Sequence, residues 1–276
     1  MMEISKIIWA ESFQEEEDQA CESWTESIPI KFYPEPLQVI PADHFEEDTV
    51  VTIRTHSRLP SSYRGFVSAV VTRSTGFDHI GEEFSGIPAG YLPDYATQAV
   101  AEHNLTMVLN LIRRTSRARR AVSNFDRSGI TGSELSGVDL GIVGIGRIGK
   151  ATAEIFASFG SELRGYDIEP ANQWADRVGL TYLYLEELFE QSSVIVLCLP
   201  LTDTSEHLIT RSLLERMPSG SFLVNSGRGE VVQNQDLLWA VEEGPVSAMA
   251  LDVFNREKEL SALVRAEVVQ NPDQEL

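Results

Sequence analysis

The sequence predicts an α/β protein in two parts: a doubly wound parallel sheet in the later two thirds and a second, smaller α/β sheet before it. Three observations predict this. From Gly137 onward, apolar runs of strand length alternate with helical stretches, the pattern of a parallel sheet covered on both faces. The run "GIVGIGRIGK" (141–150) places Gly144, Gly146 and Gly149 where an apolar strand gives way to a helix. Upstream of about residue 97 lies a separate set of short strands, with little chain between the later ones.

In chain order, the first part is read as strands at 7–10, 28–33, 49–53 and 66–71, with an acidic helix over 14–24. "SRLPSSYRG" (57–65) leaves little room for a crossover helix before Phe66. Next, "ATQAVAEHNLTMVLNLIRRTSRARR" carries Val100, Met107, Val108, Leu111 and Ile112 at helical spacing, so one long helix ending in arginines is expected. Then come a strand at 138–144, a helix at 147–159 and a strand at 162–167. A helix at 185–191 and a strand at 193–200 follow, then a helix at 210–217 and a strand at 221–226. A helix at 235–243 and a strand at 247–254 complete the series.

Charge and composition narrow the function. The formal net charge is −20, from 42 acidic against 22 basic residues, and only Lys6, Lys31, Lys150 and Lys258 are lysines. Such a surface repels nucleic acid and anionic membranes. Five arginines lie between 113 and 120, but no aromatics are interleaved with them. They are read as cations that complement a helix C-terminus or the acidic surface. At 42% hydrophobic residues the chain is expected to be globular. Its acidic start carries no signal-peptide pattern, and no stretch approaches membrane-spanning length. Cys21 and Cys198 suggest no disulfide framework, and Cys198 is read as a small buried hydrophobe. A reducing cytoplasm fits these features, and no metal site is expected.

The glycines carry a specific chemistry. A pyrophosphate site needs backbone close to phosphate and a helix N-terminus aimed at it. Gly144 permits the tight turn, Gly146 leaves room for the pyrophosphate, and Gly149 lets the helix pack against the strand. Asp167 follows the next strand, 18 residues after Gly149, near the spacing of an acid that binds the ribose hydroxyls and disfavours a 2′-phosphate. NAD is therefore the expected cofactor.

Further motifs occur in order: "TRSTGFDHI" (72–80), "GYLPDYATQAVAEH" (90–103), "GIVGIGRIG" (141–149), "LCLPLTDTSEHLI" (197–209), "NSGRGEVV" (225–232) and "ALDVFNREKE" (250–259). Together, over about residues 45–260, they resemble the NAD-dependent D-isomer-specific 2-hydroxyacid dehydrogenases, especially the D-lactate dehydrogenase-like branch. The resemblance implies a Rossmann cofactor domain over 98–276 and a flavodoxin-like substrate domain over 1–97. It implies reversible hydride transfer between nicotinamide and carbon 2 of a 2-oxo or 2-hydroxy acid. It leaves the substrate open among D-lactate, glycerate, hydroxypyruvate, phosphoglycerate, formate and phosphite. It also implies a homodimer joined through the cofactor domains, with the helix near 97–114 at the interface.

Residue by residue, the resemblance makes Arg228 the catalytic arginine, whose fork suits a carboxylate and the neighbouring carbonyl. It makes Glu257 the carboxylate that orients the catalytic histidine. The backbone N–H groups of Ser74, Thr75 and Gly76 would receive the substrate carboxylate, and Tyr95 would line the pocket. Arg147 and Ile148 join the glycines in the phosphate turn. Leu199 and Pro200 form the wall beside the adenosine, and Ser205 is a further cofactor contact. Ser226, Gly227 and Asp252 lie toward the nicotinamide.

The chain departs from the family at one catalytic position. The family histidine follows the glutamate in a "PH" motif. Here His44, His56, His79, His103 and His207 all precede Glu257, and the chain ends 19 residues after it. The expectation is a dehydrogenase by ancestry, either a truncated version of a working enzyme or a natural short relative, without the histidine, the strand that carries it or the closing helix, and with impaired chemistry. The second reading is a non-catalytic NAD(H)-binding interaction or regulatory protein, and the third an inactive truncated relative.

Overall fold

The computed structural model describes residues 4–25 and 27–256. The chain divides into two compact units, Met1–Ala96 and Thr97–Leu276. Among the described residues, no helix is long and apolar enough to cross a membrane.

The first unit is a five-stranded parallel sheet in the order β2-β1-β3-β4-β5. Its strands are β1 (Lys6–Ala10), β2 (Ile30–Tyr33), β3 (Thr49–Ile53), β4 (Val67–Thr72) and the two-residue β5 (Ala89–Gly90). That order, with the chain reversing beside its first strand, is the flavodoxin-like one. Its core is Ile8, Ala10, Leu37, Ile40, Phe45, Val51, Ile53, Leu59, Val67, Val70 and Phe84. The crossovers are mostly single 3-10 turns, at Leu37–Val39, Ala42–His44, Ser61–Tyr63 and Glu82–Phe84. This is the compression anticipated at "SRLPSSYRG". Among the described residues its one full helix is α1 (Gln14–Ser23), which buries no residue.

Charge rather than apolar area holds α1. Its Glu16 takes hydrogen bonds from Arg54 Nη2 at 2.7 Å and from Arg73 Nε at 3.2 Å. Arg73 is only 6% exposed. It also donates to Thr52 Oγ1 and to the carbonyls of Ala10 and Glu11, and it stacks on the Trp9 ring.

The second unit opens with α2 (Thr97–Ile112), which buries Ala101, Asn104, Met107, Val108 and Ile112. The single long helix expected from sequence is broken. Arg114 is left-handed at φ 52°, and a separate helix, α3 (Thr115–Ala121), carries the remaining arginines of the run. The cause is legible in the stripe. After Ile112 the core-facing positions become Thr115 and Ser116, so nothing apolar holds the helix on course.

A six-stranded parallel sheet follows, in the order β11-β10-β9-β6-β7-β8. Its strands are β6 (Asp139–Val143), β7 (Glu162–Tyr166), β8 (Leu180–Tyr182), β9 (Val194–Leu197), β10 (Ser221–Asn225) and β11 (Val246–Leu251). Counted from β6 this is 3-2-1-4-5-6, the Rossmann order, with its switch point between β6 and β9. The linking helices are α4 (Arg147–Ser158), α5 (Asn172–Val178), α6 (Leu185–Gln191), α7 (Arg211–Leu214) and α8 (Asn234–Glu242). All four residues of β9 are buried, as the continuous apolar run required. The helix expected over 210–217 is only the four-residue α7. The α5–β8 pair was not read from the sequence, because neither piece reaches two full turns or a full-length strand.

Replacing Arg73 with Leu should cost about 2–4 kcal/mol, below a wholly buried pair because Glu16 keeps some access to water. Urea unfolding checks this; an unchanged midpoint would mean that the network does not hold the first unit.

Candidate functional site

In the second unit, nearly every residue singled out for the cofactor lies on the carboxyl edge of the sheet. Gly144–Gly149 follow β6, Asp167 follows β7, Leu199 and Pro200 follow β9, Ser226–Arg228 follow β10, and Asp252 follows β11. Open α/β sheets bind ligands along this edge, at the switch point.

The glycine turn has the shape that a pyrophosphate needs. Gly144 sits at φ 92°, and a Cβ there would stand 2.8 Å from the Cys198 carbonyl oxygen at the end of β9. Its N–H donates to the Tyr166 carbonyl at 2.8 Å. At Gly149 a Cβ would overlap the Gly144 carbonyl, so α4 can start this close to the strand only with glycine. Gly146 is the opposite case: a Cβ there would meet no atom within 4 Å. The space is open at the N-cap of α4, a twelve-residue helix whose first-turn N–H groups point outward. Exposed Arg147 and half-buried Ile148 open that helix.

Asp167 does more than sequence reading anticipated. Its Oδ2 accepts from the Ile145 N–H at 2.6 Å and its Oδ1 from the Glu169 N–H at 2.9 Å. The carboxylate staples the glycine turn to β7. Each oxygen keeps a further lone pair for a ribose hydroxyl.

The loop after β9 holds itself. Ser205 is buried, and its hydroxyl donates to the Pro200 carbonyl at 2.6 Å and accepts from the Thr202 N–H at 2.8 Å. Its hydroxyl is thus engaged in shaping the segment that carries Leu199 and Pro200. Cys198, read from sequence as a buried hydrophobe, is only half-buried as a residue. Its thiol faces Asn104, Thr152 and Ser226. Burial pushes it up to about 12, against the hydrogen bonds with those three groups.

Arg228 leaves β10 in extended backbone. Its carbonyl accepts from Asn225 Nδ2 at 3.0 Å, and Asn225 Oδ1 accepts from the Gly227 N–H at 3.1 Å. Asn225, not singled out from sequence, therefore shapes the arginine loop from the buried end of its strand. Asp252 is anchored beside it, its N–H donating to the Asn225 carbonyl at 2.9 Å. Its carboxylate lies 3.5 Å from His103 Nε2, giving the "AEH" histidine of α2 a partner at this edge. Glu257 lies outside the described residues.

The first unit carries its own candidate loop. Ser74, Thr75 and Gly76 follow β4, and among the described residues their backbone N–H groups make no backbone–backbone hydrogen bond. Ser74 Oγ donates to the Gly76 carbonyl at 2.6 Å and contacts Thr72 Oγ1, which also meets His79 Nε2 at 2.8 Å. The buried Thr75 hydroxyl finds no partner among the described residues. Tyr95 is 60% exposed. Behind the loop sits the charge network. Burial alone would raise the Glu11 carboxyl, but hydrogen bonds from Ser57, Arg54 and His56 bring it below the usual carboxylate range. Glu16 is lowered in the same way, against burial, by Arg54 and Arg73. Because both are depressed on folding, their contribution to stability is present above the unfolded carboxylate value and is lost as pH falls through the folded one.

The comparisons agree with this geometry. Residues 105–272 match the family model described as D-isomer specific 2-hydroxyacid dehydrogenase, NAD binding domain. A D-lactate dehydrogenase of Curvularia clavata is 32% identical over 244 residues, covering 85% of this chain and 70% of that protein. The D-lactate dehydrogenase of Escherichia coli K12 is 33% identical over 199 residues, covering 70% of this chain but only 60% of its own length. A crystal structure of D-lactate dehydrogenase from Aquifex aeolicus, complexed with NAD and lactic acid, superposes with a TM-score of 0.84 at 29% identity. It covers 95% of this chain and 81% of that one. The NAD binding domain match and the NAD-complexed neighbour make NAD the cofactor of this chain.

Gly146→Val should separate folding from binding. It fills space that only a ligand would occupy, so stability should move by less than about 1 kcal/mol while NADH affinity falls at least about tenfold. Unaltered NADH binding, read by fluorescence titration, would remove the phosphate from this turn.

Proposed function

The chain belongs to the D-isomer specific 2-hydroxyacid dehydrogenase family, and we propose that it reduces a 2-oxo acid to the D-2-hydroxy acid with NADH, and runs the reverse with NAD. The observation that carries this reading is the opposition of Gly146 and Gly149: open space at one, backbone contact at the other. The relatives, several of them D-lactate dehydrogenases, support an enzyme over a non-catalytic NAD(H)-binding protein.

The second unit serves as the cofactor domain. The α4 N-terminus with Gly144, Gly146, Arg147, Ile148 and Gly149 would receive the pyrophosphate, and Asp167 the adenosine ribose. Leu199 and Pro200 would flank the adenosine; Ser226, Gly227 and Asp252 would lie toward the nicotinamide. The first unit serves as the substrate domain, and the N–H groups of Ser74, Thr75 and Gly76 bind the substrate carboxylate. Tyr95 lines that pocket. NADH, when bound, supplies the hydride that carbon 2 accepts.

Arg228 performs the electrostatic part of the reaction. Its planar fork draws on the carboxylate and on the carbonyl oxygen, where negative charge grows as the hydride arrives. A donor aimed at that charge is worth several kcal/mol of barrier. Glu257 is assigned the carboxylate that orients a proton donor. The proton itself is assigned to no described residue.

We place the protein in the cytoplasm, in keeping with two free cysteines and the reducing compartment they suit. We also propose a homodimer through the second unit. Val122 and Phe125 are 69% and 89% exposed beside the arginines of α3, an apolar spot suited to a second copy.

Two measurements test these readings. NADH oxidation against glyoxylate, pyruvate, hydroxypyruvate and bulkier 2-oxo acids should show turnover that Arg228→Ala lowers at least about a hundredfold. A folded, NADH-binding chain with no turnover on any of them would refute the enzymatic reading. Sedimentation should give twice the chain mass, and Phe125→Asp should shift it toward the monomer; a monomeric wild type would refute the dimer.

A further inference from the structure

The substrate loop has a second cation beside it whose hydrogen-bonding capacity is not used up. Ile53 and Thr72 are register partners on β3 and β4, so Arg54 and Arg73 leave the sheet side by side at its carboxyl edge. Their situations differ. Arg73 is buried, and all three of its guanidinium nitrogens are bonded, to Thr52, Ala10, Glu11 and Glu16. It is a structural clamp. Arg54 is more open and spends Nη2 on Glu16 at 2.7 Å. Its buried Nε has no partner among the described residues.

The surroundings of Arg54 resemble a pocket wall more than a core. Its guanidinium stands 5.0 Å over the ring of Phe13, which is 56% exposed, and Tyr95 interacts with it, holding its charged form. The carboxylates nearby do not saturate it. Glu16 is shared with Arg73. The Glu11 oxygens are taken by the backbone N–H groups of Arg54 and His56 and by the Ser57 hydroxyl. The aromatic edges, the exposed part of the Arg54 guanidinium and the N–H groups of 74–76 thus belong to one stretch of the sheet edge.

We propose that Arg54 is a specificity determinant that receives a second anionic group on the substrate, so that the preferred substrates are 2-oxo acids with a distal carboxylate rather than pyruvate-like monoacids. The proposal rests on the reading of 74–76 as the carboxylate loop. With carbon 1 on those N–H groups, the substituent beyond carbon 2 is the part left to meet Arg54, Tyr95 and Phe13. A guanidinium fork with unspent donors favours a carboxylate there over a methyl group.

The test uses ligands that cannot turn over. With the chain saturated by NADH, D-lactate and D-malate are both already reduced, so calorimetry reads binding alone. D-Malate should bind at least about tenfold more tightly than D-lactate, the scale of one charge-assisted bond. Arg54→Gln should collapse that ratio toward one, and Arg54→Lys should leave it intermediate. Equal binding of the two acids to the wild type overturns the proposal and leaves the family reading standing. Failure of both to bind, with NADH bound, overturns the carboxylate-loop reading and the proposal with it. Should Arg54→Gln fail to fold, the wild-type ratio and Arg54→Lys decide.

Discussion

The cofactor unit depends on one close approach: the first turn of α4 lies so near the Gly144 carbonyl that position 149 cannot carry a side chain. That contact sets where the helix starts, and so where its first-turn N–H groups point. It also fixes the turn against β9, because Gly144 has its own tight clearance to the Cys198 carbonyl. Asp167 then ties the turn to β7 through Ile145. Three neighbouring strands are thereby locked at the switch point by backbone and one carboxylate. The open space at Gly146 follows from that locking.

The first unit solves a different problem. Its sheet is short, its crossovers are mostly 3-10 turns, and its helix α1 buries nothing. The usual way to attach a helix, an apolar stripe, is missing from "QEEEDQACES". Arg73 and Arg54 attach it instead, through Glu16. Since Arg73 immediately precedes Ser74, the same clamp that fixes α1 also fixes the start of the 74–76 loop. Stability and positioning are therefore carried by the same charges there, and acid should loosen both together.

How much of this was legible depended on the range of the interactions. The parallel sheet of the second unit, its glycine turn and the place of Asp167 after β7 follow from local periodicity and spacing, while Leu199, Arg228 and Asp252 are singled out only by the motifs of the resemblance; the expected strands run through Leu199 and Asp252, where β9 and β11 end just before them. The break at Arg114 was missed because the arginine run has good helix propensity; the loss of core contact after Ile112 overrides it. The α5–β8 pair was too short to show a period. The Glu11–Glu16–Arg54–Arg73 network was invisible for another reason. Its members are brought together by strand order, across up to 62 residues of sequence, and no local pattern records that. Asn225 carried a faint signal, as a polar residue closing an apolar strand, that only its partners explain.

The most direct test of the account is the electron density of NAD in crystals of the complex. The account places the pyrophosphate against Gly146 and the first-turn N–H groups at Arg147 and Ile148, with the adenosine ribose on Asp167. A nucleotide bound elsewhere, or a pyrophosphate held away from this turn by side chains, would contradict it.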